Sequence, residues 1–257
     1  MTPPLSHAID PTVIGKSRVS PWLMAIIYPL GRRFLQWYFG KITITGQNYL
    51  PDTGPIILAP IHRSRWDGIL LSLAAGRRVT GRDLRFMVTA SEVRGLQGWL
   101  IRRLGGFPID TRRLELSSLA FSVALLQAGE MLVIFPEGGI FHDQQVHPLK
   151  RGVGRIALEV YRQNPQTTMQ VIPVTIHYSD PFPKRGTEIN IAFGPGIAAN
   201  QFDSAKIKSS SEQLTQRLKT GLQSLCGPRI KTSPTSVMID SLPAPRGQDS
   251  YEANRLS

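Results

Sequence analysis

One cysteine, Cys226, stands among 257 residues. A lone thiol excludes an internal disulfide and any zinc site built on several thiolates. With no histidine beside it and a helix-like stretch before it, Cys226 reads as an ordinary, partly buried thiol. Acidic residues are scarce as well: 18 Asp and Glu face 30 Lys and Arg, for a net charge of +12. Such an excess attracts anionic partners, whether phospholipid headgroups, nucleic acid or an acidic protein, and does not choose among them. Long hydrophobic runs are missing too. The most apolar stretch, residues 21–40, is interrupted by Pro29, Gly31, Arg32 and Arg33. It falls short of the roughly 18 to 20 uninterrupted apolar residues of a membrane span. No early hydrophobic run precedes a small-residue cleavage site, so no signal peptide is expected. Neither a Gly-x-Ser-x-Gly elbow nor a nucleotide-binding P-loop occurs, which sets aside elbow-type serine hydrolases and P-loop enzymes.

What is present suffices for a packed domain, since 41% of residues are hydrophobic and only 19% charged. Residues 1–18 read as a flexible tail, 19–226 as one domain, and 227–257, rich in Pro and Ser, as a disordered tail. Residues 20–39 read as one helix, or two short ones broken around Pro29 and Gly31. Phe34, Trp37, Tyr38 and Phe39 after the Arg pair suit a helix lying in a membrane interface. The other reading is an N-terminal helix packed on the domain. Strand patterns follow at 41–45, 55–59, 84–89, 131–135, 170–176 and 188–193. Helical patterns fall at 68–75, 96–104, 117–128, 152–161 and 212–225, with Gly129 placed as a C-terminal cap. Strands alternating with helices predict an α/β domain, a central sheet flanked by helices.

Two segments carry candidate chemistry. In Ile61–Asp67, a histidine and an aspartate are five residues apart, roughly 140° around a regular helix, and so cannot face each other on one. They meet if His62 lies in the loop leaving a strand and Asp67 in the first helical turn, where Ser64 can cap. The carboxylate then fixes one imidazole nitrogen and leaves the other free to accept a proton from an alcohol. Ser64-Arg-Trp-Asp67 is equally a capping-box pattern, in which Asp67 serves only the helix start. The second segment, Phe135-Pro-Glu-Gly-Gly139, ends a β-prone run and places Glu137 at the sheet's C-terminal edge, where α/β folds bind ligands. Gly138 and Gly139 let backbone amides approach a substrate; the plainer reading is a turn with a solvated Glu. Arg63, Arg65, Arg77, Arg78, Arg102, Arg103, Arg112, Arg113, Lys150 and Arg151 cluster near these segments, and most of them read as solvated or lying against a membrane. One or two are suited to a substrate phosphate. Gly152-Val-Gly154 follows a charged loop instead of a strand and is a weak dinucleotide signal. His142, Asp143 and His147 have no recognised metal-ligand spacing, so no metal is expected.

Together these segments resemble the glycerolipid acyltransferase family typified by 1-acylglycerol-3-phosphate acyltransferase. His62, Ser64 and Asp67 match its first block of His, four residues, Asp. Gly105-Gly-Phe-Pro-Ile-Asp-Thr-Arg112 is similar to the second block, Phe135 through Gly138 to the third, and Ile172-Pro-Val174 to the fourth. The blocks run in family order from about 41 to 195. Two departures stand out: Thr111 occupies an arginine position with Arg112 one step late, and Gly139-Ile-Phe141 replace Thr-Arg-Ser.

The resemblance implies catalysis by His62 and Asp67, with Ser64, Arg112, Glu137, Gly138 and Gly139 at the substrate. It implies direct transfer of an acyl group from acyl-CoA or acyl carrier protein, as co-substrate, to a lysophospholipid hydroxyl. The acceptor it points to first is 1-acylglycerol-3-phosphate, giving phosphatidate, with no cofactor. A membrane lipid surface is the expected partner, no nucleic acid is expected, and the location is peripheral on a cytoplasmic membrane face. A different lysolipid, an acceptor without phosphate, a thioesterase, and a basic membrane- or RNA-binding module remain as alternatives.

Overall fold

A computed structural model describes residues 19–89, 95–109, 116–227 and 236–238. The expected tails at 1–18 and most of 227–257, and Arg112 and Arg113, lie outside the described residues. Helix α1 spans Pro21–Tyr38, and β1 Ile42–Thr45 follows it. Next come β2 Ile56–Pro60, α2 Asp67–Ala75, the single turn α3 Arg77–Thr80 and β3 Leu84–Thr89. Then α4 Gly95–Arg103, β4 Gly106–Ile109, α5 Leu116–Gln127 and β5 Met131–Val133 are followed by α6 Gly152–Gln163. The remaining elements are β6 Gln170–Tyr178, β7 Ile189–Phe193, β8 Ile197–Ala198, α7 Ile207–Cys226 and β9 Ser236–Met238.

The strands form one mixed sheet in the order β4-β3-β5-β2-β6-β7-β1-β9, with β8 beside β6. From β4 to β6 the neighbours are parallel; β7 runs antiparallel to β6, and β9 antiparallel to β1. Buried on both faces, β2 and β5 are continuously apolar, as parallel strands under two helical layers must be. Alternate residues serve opposite cores. Ile56 and Leu58 pack with Leu70, Leu71 and α1, while Ile57 and Ala59 pack with Leu119, Ile156 and Leu214. The α/β class with a mixed, helix-flanked sheet is therefore the observed architecture.

Of the alternatives left open at 20–39 the structure takes one, and it adds a strand in the C-terminal segment; both have physical causes. Despite Pro29, α1 is one helix, because Met24, Tyr28 and Leu35 are buried along one side of it across the proline. Their burial offsets the roughly 3 kcal/mol cost of a proline in a helix interior. Within the segment expected to be disordered, Ser236–Met238 pairs with Thr43–Thr45 and covers the sheet edge. Gly152 and Gly154 open α6, and Gly154 answers a packing need: a Cβ there would sit 2.7 Å from Ser211 O of α7.

Candidate active site

Three adjacent parallel strands bring the site together at their C-terminal ends. The loop leaving β2 carries His62, the loop leaving β5 carries Glu137, and Tyr178 closes β6. Because β2 lies between the other two, side chains far apart in the chain converge on its exit loop.

Asp67 is completely buried in the first turn of α2. Its Oδ2 accepts from His62 Nδ1 at 2.8 Å, from the Arg63 backbone N–H at 2.7 Å and from the Ser64 N–H at 3.0 Å. Its Oδ1 accepts from the Tyr178 hydroxyl at 2.6 Å. The carboxylate thus ties down two amides of the loop before the helix and the imidazole as well, so it does not serve the helix start alone. Ser64 Oγ instead accepts the Trp66 N–H, at 3.3 Å, and Trp66 occupies the N-cap position. A carboxylate only accepts, so the proton sits on Nδ1 and the Nε2 lone pair stays available. Burial first, then the Asp67 charge, pushes the Tyr178 hydroxyl pKa well above its ordinary range and keeps it a donor. The His62 ring stacks on Phe135 at 3.9 Å between centroids, which fixes its plane.

Glu137 is buried and meets four donors of the protein itself. Oε2 accepts from the His62 backbone N–H at 2.9 Å and from Arg63 Nη1 at 2.8 Å. Oε1 accepts from Arg63 Nη2 at 3.1 Å and from the His147 N–H at 3.0 Å. Arg63 further donates to the carbonyls of His62 and Gln145, at 3.0 and 2.6 Å. This buried fork binds the loops after β2 and β5 to each other and to the segment before α6.

A cavity of about 800 Å³ opens beside these loops. His62, Arg65, Ile69, Phe86, Ile101 and Gly106 line it together with Gly138, Gly139 and Lys150. Ser64 and Glu137 are not in its lining; Arg112 lies outside the described residues. Its charged lining groups are Arg65 and Lys150, with no carboxylate among the described residues. The Gly138 amide donates to Phe135 O at 3.2 Å, so it is already engaged. The other cations disperse: Arg77 pairs with Asp83, Arg103 lies over Trp99 at 5.5 Å, and Arg151 pairs with Glu212 at 2.5 Å. His142 and His147 go to different partners, Pro181 O and Asp143. Cys226 is exposed at the end of α7 instead of partly buried.

Tyr178 and Arg63 were out of reach of sequence reasoning as site supports. Tyr178 is 111 residues from Asp67, and the Arg63–Glu137 pair spans 74. The one available signal was that six apolar or β-branched residues at 171–176 are followed by His177 and the polar aromatic Tyr178.

The family model described as Acyltransferase matches residues 41–177. A Streptococcus pneumoniae R6 protein named 1-acyl-sn-glycerol-3-phosphate acyltransferase is 25% identical over 186 residues. That match covers 68% of this chain and spans 61% of the pneumococcal protein's length. An uncharacterised acyltransferase of Schizosaccharomyces pombe is 35% identical over 73 residues, 28% of this chain and 11% of that one. Among solved structures, the 1-acyl-sn-glycerophosphate acyltransferase PlsC of Thermotoga maritima shares the fold. Its TM-score is 0.61 at 19% identity, with 82% of both chains covered.

Proposed function

The chain belongs to the acyltransferase family, and from that premise we propose that it transfers a fatty acyl group from a thioester to the hydroxyl of a lysophospholipid, with 1-acylglycerol-3-phosphate as first candidate. The observation that carries this reading is the cavity-lining His62, whose Nδ1 is held by a buried carboxylate. In the reaction, Nε2 takes the proton of the acceptor hydroxyl as its oxygen attacks the thioester carbonyl carbon. The C–S bond then breaks, and the departing thiolate takes the proton back from the imidazolium. Asp67 stabilises the imidazolium between these steps. Gly139, in the lining beside the engaged Gly138 amide, is the backbone group suited to the oxyanion. Acyl-CoA or acyl carrier protein serves as co-substrate, and the chemistry needs no further cofactor. The pneumococcal relative's name and the cationic lining both favour a phosphate-bearing acceptor.

The reaction is proposed to run at a membrane surface. On α1, Trp22, Ile26, Leu30, Phe34 and Trp37 are exposed within an arc of roughly 120°, opposite the buried Met24, Tyr28 and Leu35. Leu96, Trp99 and Leu100 of α4 are exposed as well, and Gln97 and Ile101 of the same helix line the cavity. No described helix is long and apolar enough to cross a membrane. An apolar helical face beside a cationic chain suits docking on anionic lipid.

The test is a radiolabelled acyl-CoA or acyl carrier protein with a panel of lysophospholipids, wild type beside His62→Ala. Ester product formed by the wild type and reduced about 10²- to 10⁴-fold in the variant supports the reading. Release of free fatty acid alone would assign a thioesterase, and equal product from both proteins would remove His62 from the chemistry.

A further inference from the structure

The turn after β5 brings no cation of its own to the cavity, because Gly139, Ile140 and Phe141 follow Glu137-Gly138. Glu137 itself is saturated by Arg63 and two backbone amides. A cation nevertheless reaches this turn from a later loop. The Lys150 backbone N–H donates to Pro136 O at 2.8 Å, which pins its main chain to the turn. Its side chain then crosses Gly138 so closely that a Cβ built there would lie 2.5 Å from both Cε and Nζ. Gly138 also has a φ of 73°, so any other residue at this position would be strained and would displace the ammonium. Lys150 forms no ion pair among the described residues; its neighbour Arg151 takes Glu212. Four features thus coincide: a pinned main chain, a glycine that makes room, a position in the cavity lining, and no carboxylate partner.

We infer that Lys150 Nζ holds the phosphate of the acceptor, so that Lys150 is the residue selecting a phosphorylated acceptor over a neutral one; the inference rests on the acyl transfer proposed above. The phosphates of an acyl-CoA offer the same chemistry, and the geometry decides between the two sources. The His62 ring packs on Phe135 and the Lys150 ammonium on Gly138, three positions along one turn. In a lysophosphatidate the free hydroxyl and the phosphate are on adjacent carbons of the glycerol. In an acyl-CoA the thioester and the diphosphate are at opposite ends of the pantetheine arm. A short separation between base and cation therefore suits the acceptor. An ammonium is a compact charge that a flexible stem carries to the anion, which fits a cation delivered from a distant loop.

The experiment measures initial rates of the full-length chain, wild type, Lys150→Met and Lys150→Arg, with acceptor and acyl-CoA each varied. Lys150→Met is expected to raise KM for 1-acylglycerol-3-phosphate at least tenfold, leave KM for acyl-CoA unchanged, and spare any neutral acceptor the wild type uses. Lys150→Arg is expected to restore most of the acceptor KM. An unchanged acceptor KM, a rise in acyl-CoA KM instead, or an equal loss on neutral acceptors overturns the inference. Calorimetric titration with sn-glycerol 3-phosphate separates this site from the reaction. Binding by wild type and His62→Ala but not Lys150→Met sustains the phosphate site even if no acyl transfer is found. Equal binding by all three proteins overturns it.

Discussion

At the scale of residues, the site rests on two buried carboxylates that do different work. Asp67 is saturated on Oδ2 by the imidazole and two amides, and on Oδ1 by Tyr178. In Asp67→Asn the amide nitrogen can face Nδ1, which moves the imidazole proton onto Nε2 and removes the base. The expected fall in kcat is on the order of 10⁴-fold with the fold retained, read from initial rates beside a circular dichroism spectrum. Tyr178→Phe leaves a buried carboxylate oxygen without its donor and should cost about 1–3 kcal/mol of stability. Its pH dependence carries a definite sign. The folded state raises the hydroxyl pKa above the ordinary 10.0, by burial and by the Asp67 charge. As pH rises past 10.0, the unfolded chain loses this proton before the folded one does, so unfolding free energy falls. Urea melts of Tyr178→Phe should start lower at neutral pH and decline less steeply above pH 10.0 than those of wild type. Glu137→Gln strands the buried Arg63 charge and should lower stability by about 3–5 kcal/mol in the same melts. A much smaller loss would show that water reaches Arg63.

At the scale of elements, the long periodic segments were legible because their apolar patterns are local. The strand at 170–178 and the helix with Leu214, Leu218 and Leu222 buried on one face are of this kind. Helix α1 kept its unity against Pro29 only through tertiary burial, which no local pattern contains. The short strands β4, β8 and β9 exist because a neighbouring edge pairs with them. The first half of the site was equally local: six residues span His62 to Asp67, and the turn needed to join them is written between. Its second half was not, since Tyr178 and Glu137 meet that loop only through sheet order. The glycines of α6 illustrate the same limit. Intrinsic propensity favours Gly154→Ala by about 1 kcal/mol. The structure reverses the sign, because the added Cβ would lie 2.7 Å from Ser211 O and 3.1 Å from Ser211 Cα. Backbone atoms cannot swing aside, so α7 must shift, and the expected net loss is about 1–3 kcal/mol in a thermal melt.

For the whole molecule, the question is how a chain with no described membrane-crossing helix would reach the bilayer-resident acceptor proposed for it. Net charge and apolar surface contribute differently. In the proposed docking, a charge of +12 would draw the chain toward anionic lipid over a distance set by ionic strength, about 10 Å at 0.1 M salt. The α1 stripe would act only on contact, and its side chains are outside the cavity lining. Arg185 lies 4.6 Å from the centroid of the Trp37 ring, placing a cation at the end of the apolar face where headgroups would begin. A paired substitution separates docking from catalysis. Trp22 and Leu30 are 60% and 61% exposed, so Trp22→Glu with Leu30→Glu leaves the buried face of α1 intact. Each side chain transferred into lipid is worth about 1.5–3 kcal/mol, so losing both should weaken binding to anionic vesicles by about two to four orders of magnitude in a sedimentation assay. Added salt should weaken wild-type binding without abolishing it, since the apolar contribution is not screened. Activity on substrate dispersed in detergent micelles should change little, because base, carboxylate and cavity are untouched. Equal vesicle binding by both proteins would move the docking surface elsewhere, first to Leu96, Trp99 and Leu100 on α4. Loss of micellar activity together with vesicle binding would instead make α1 part of the catalytic unit.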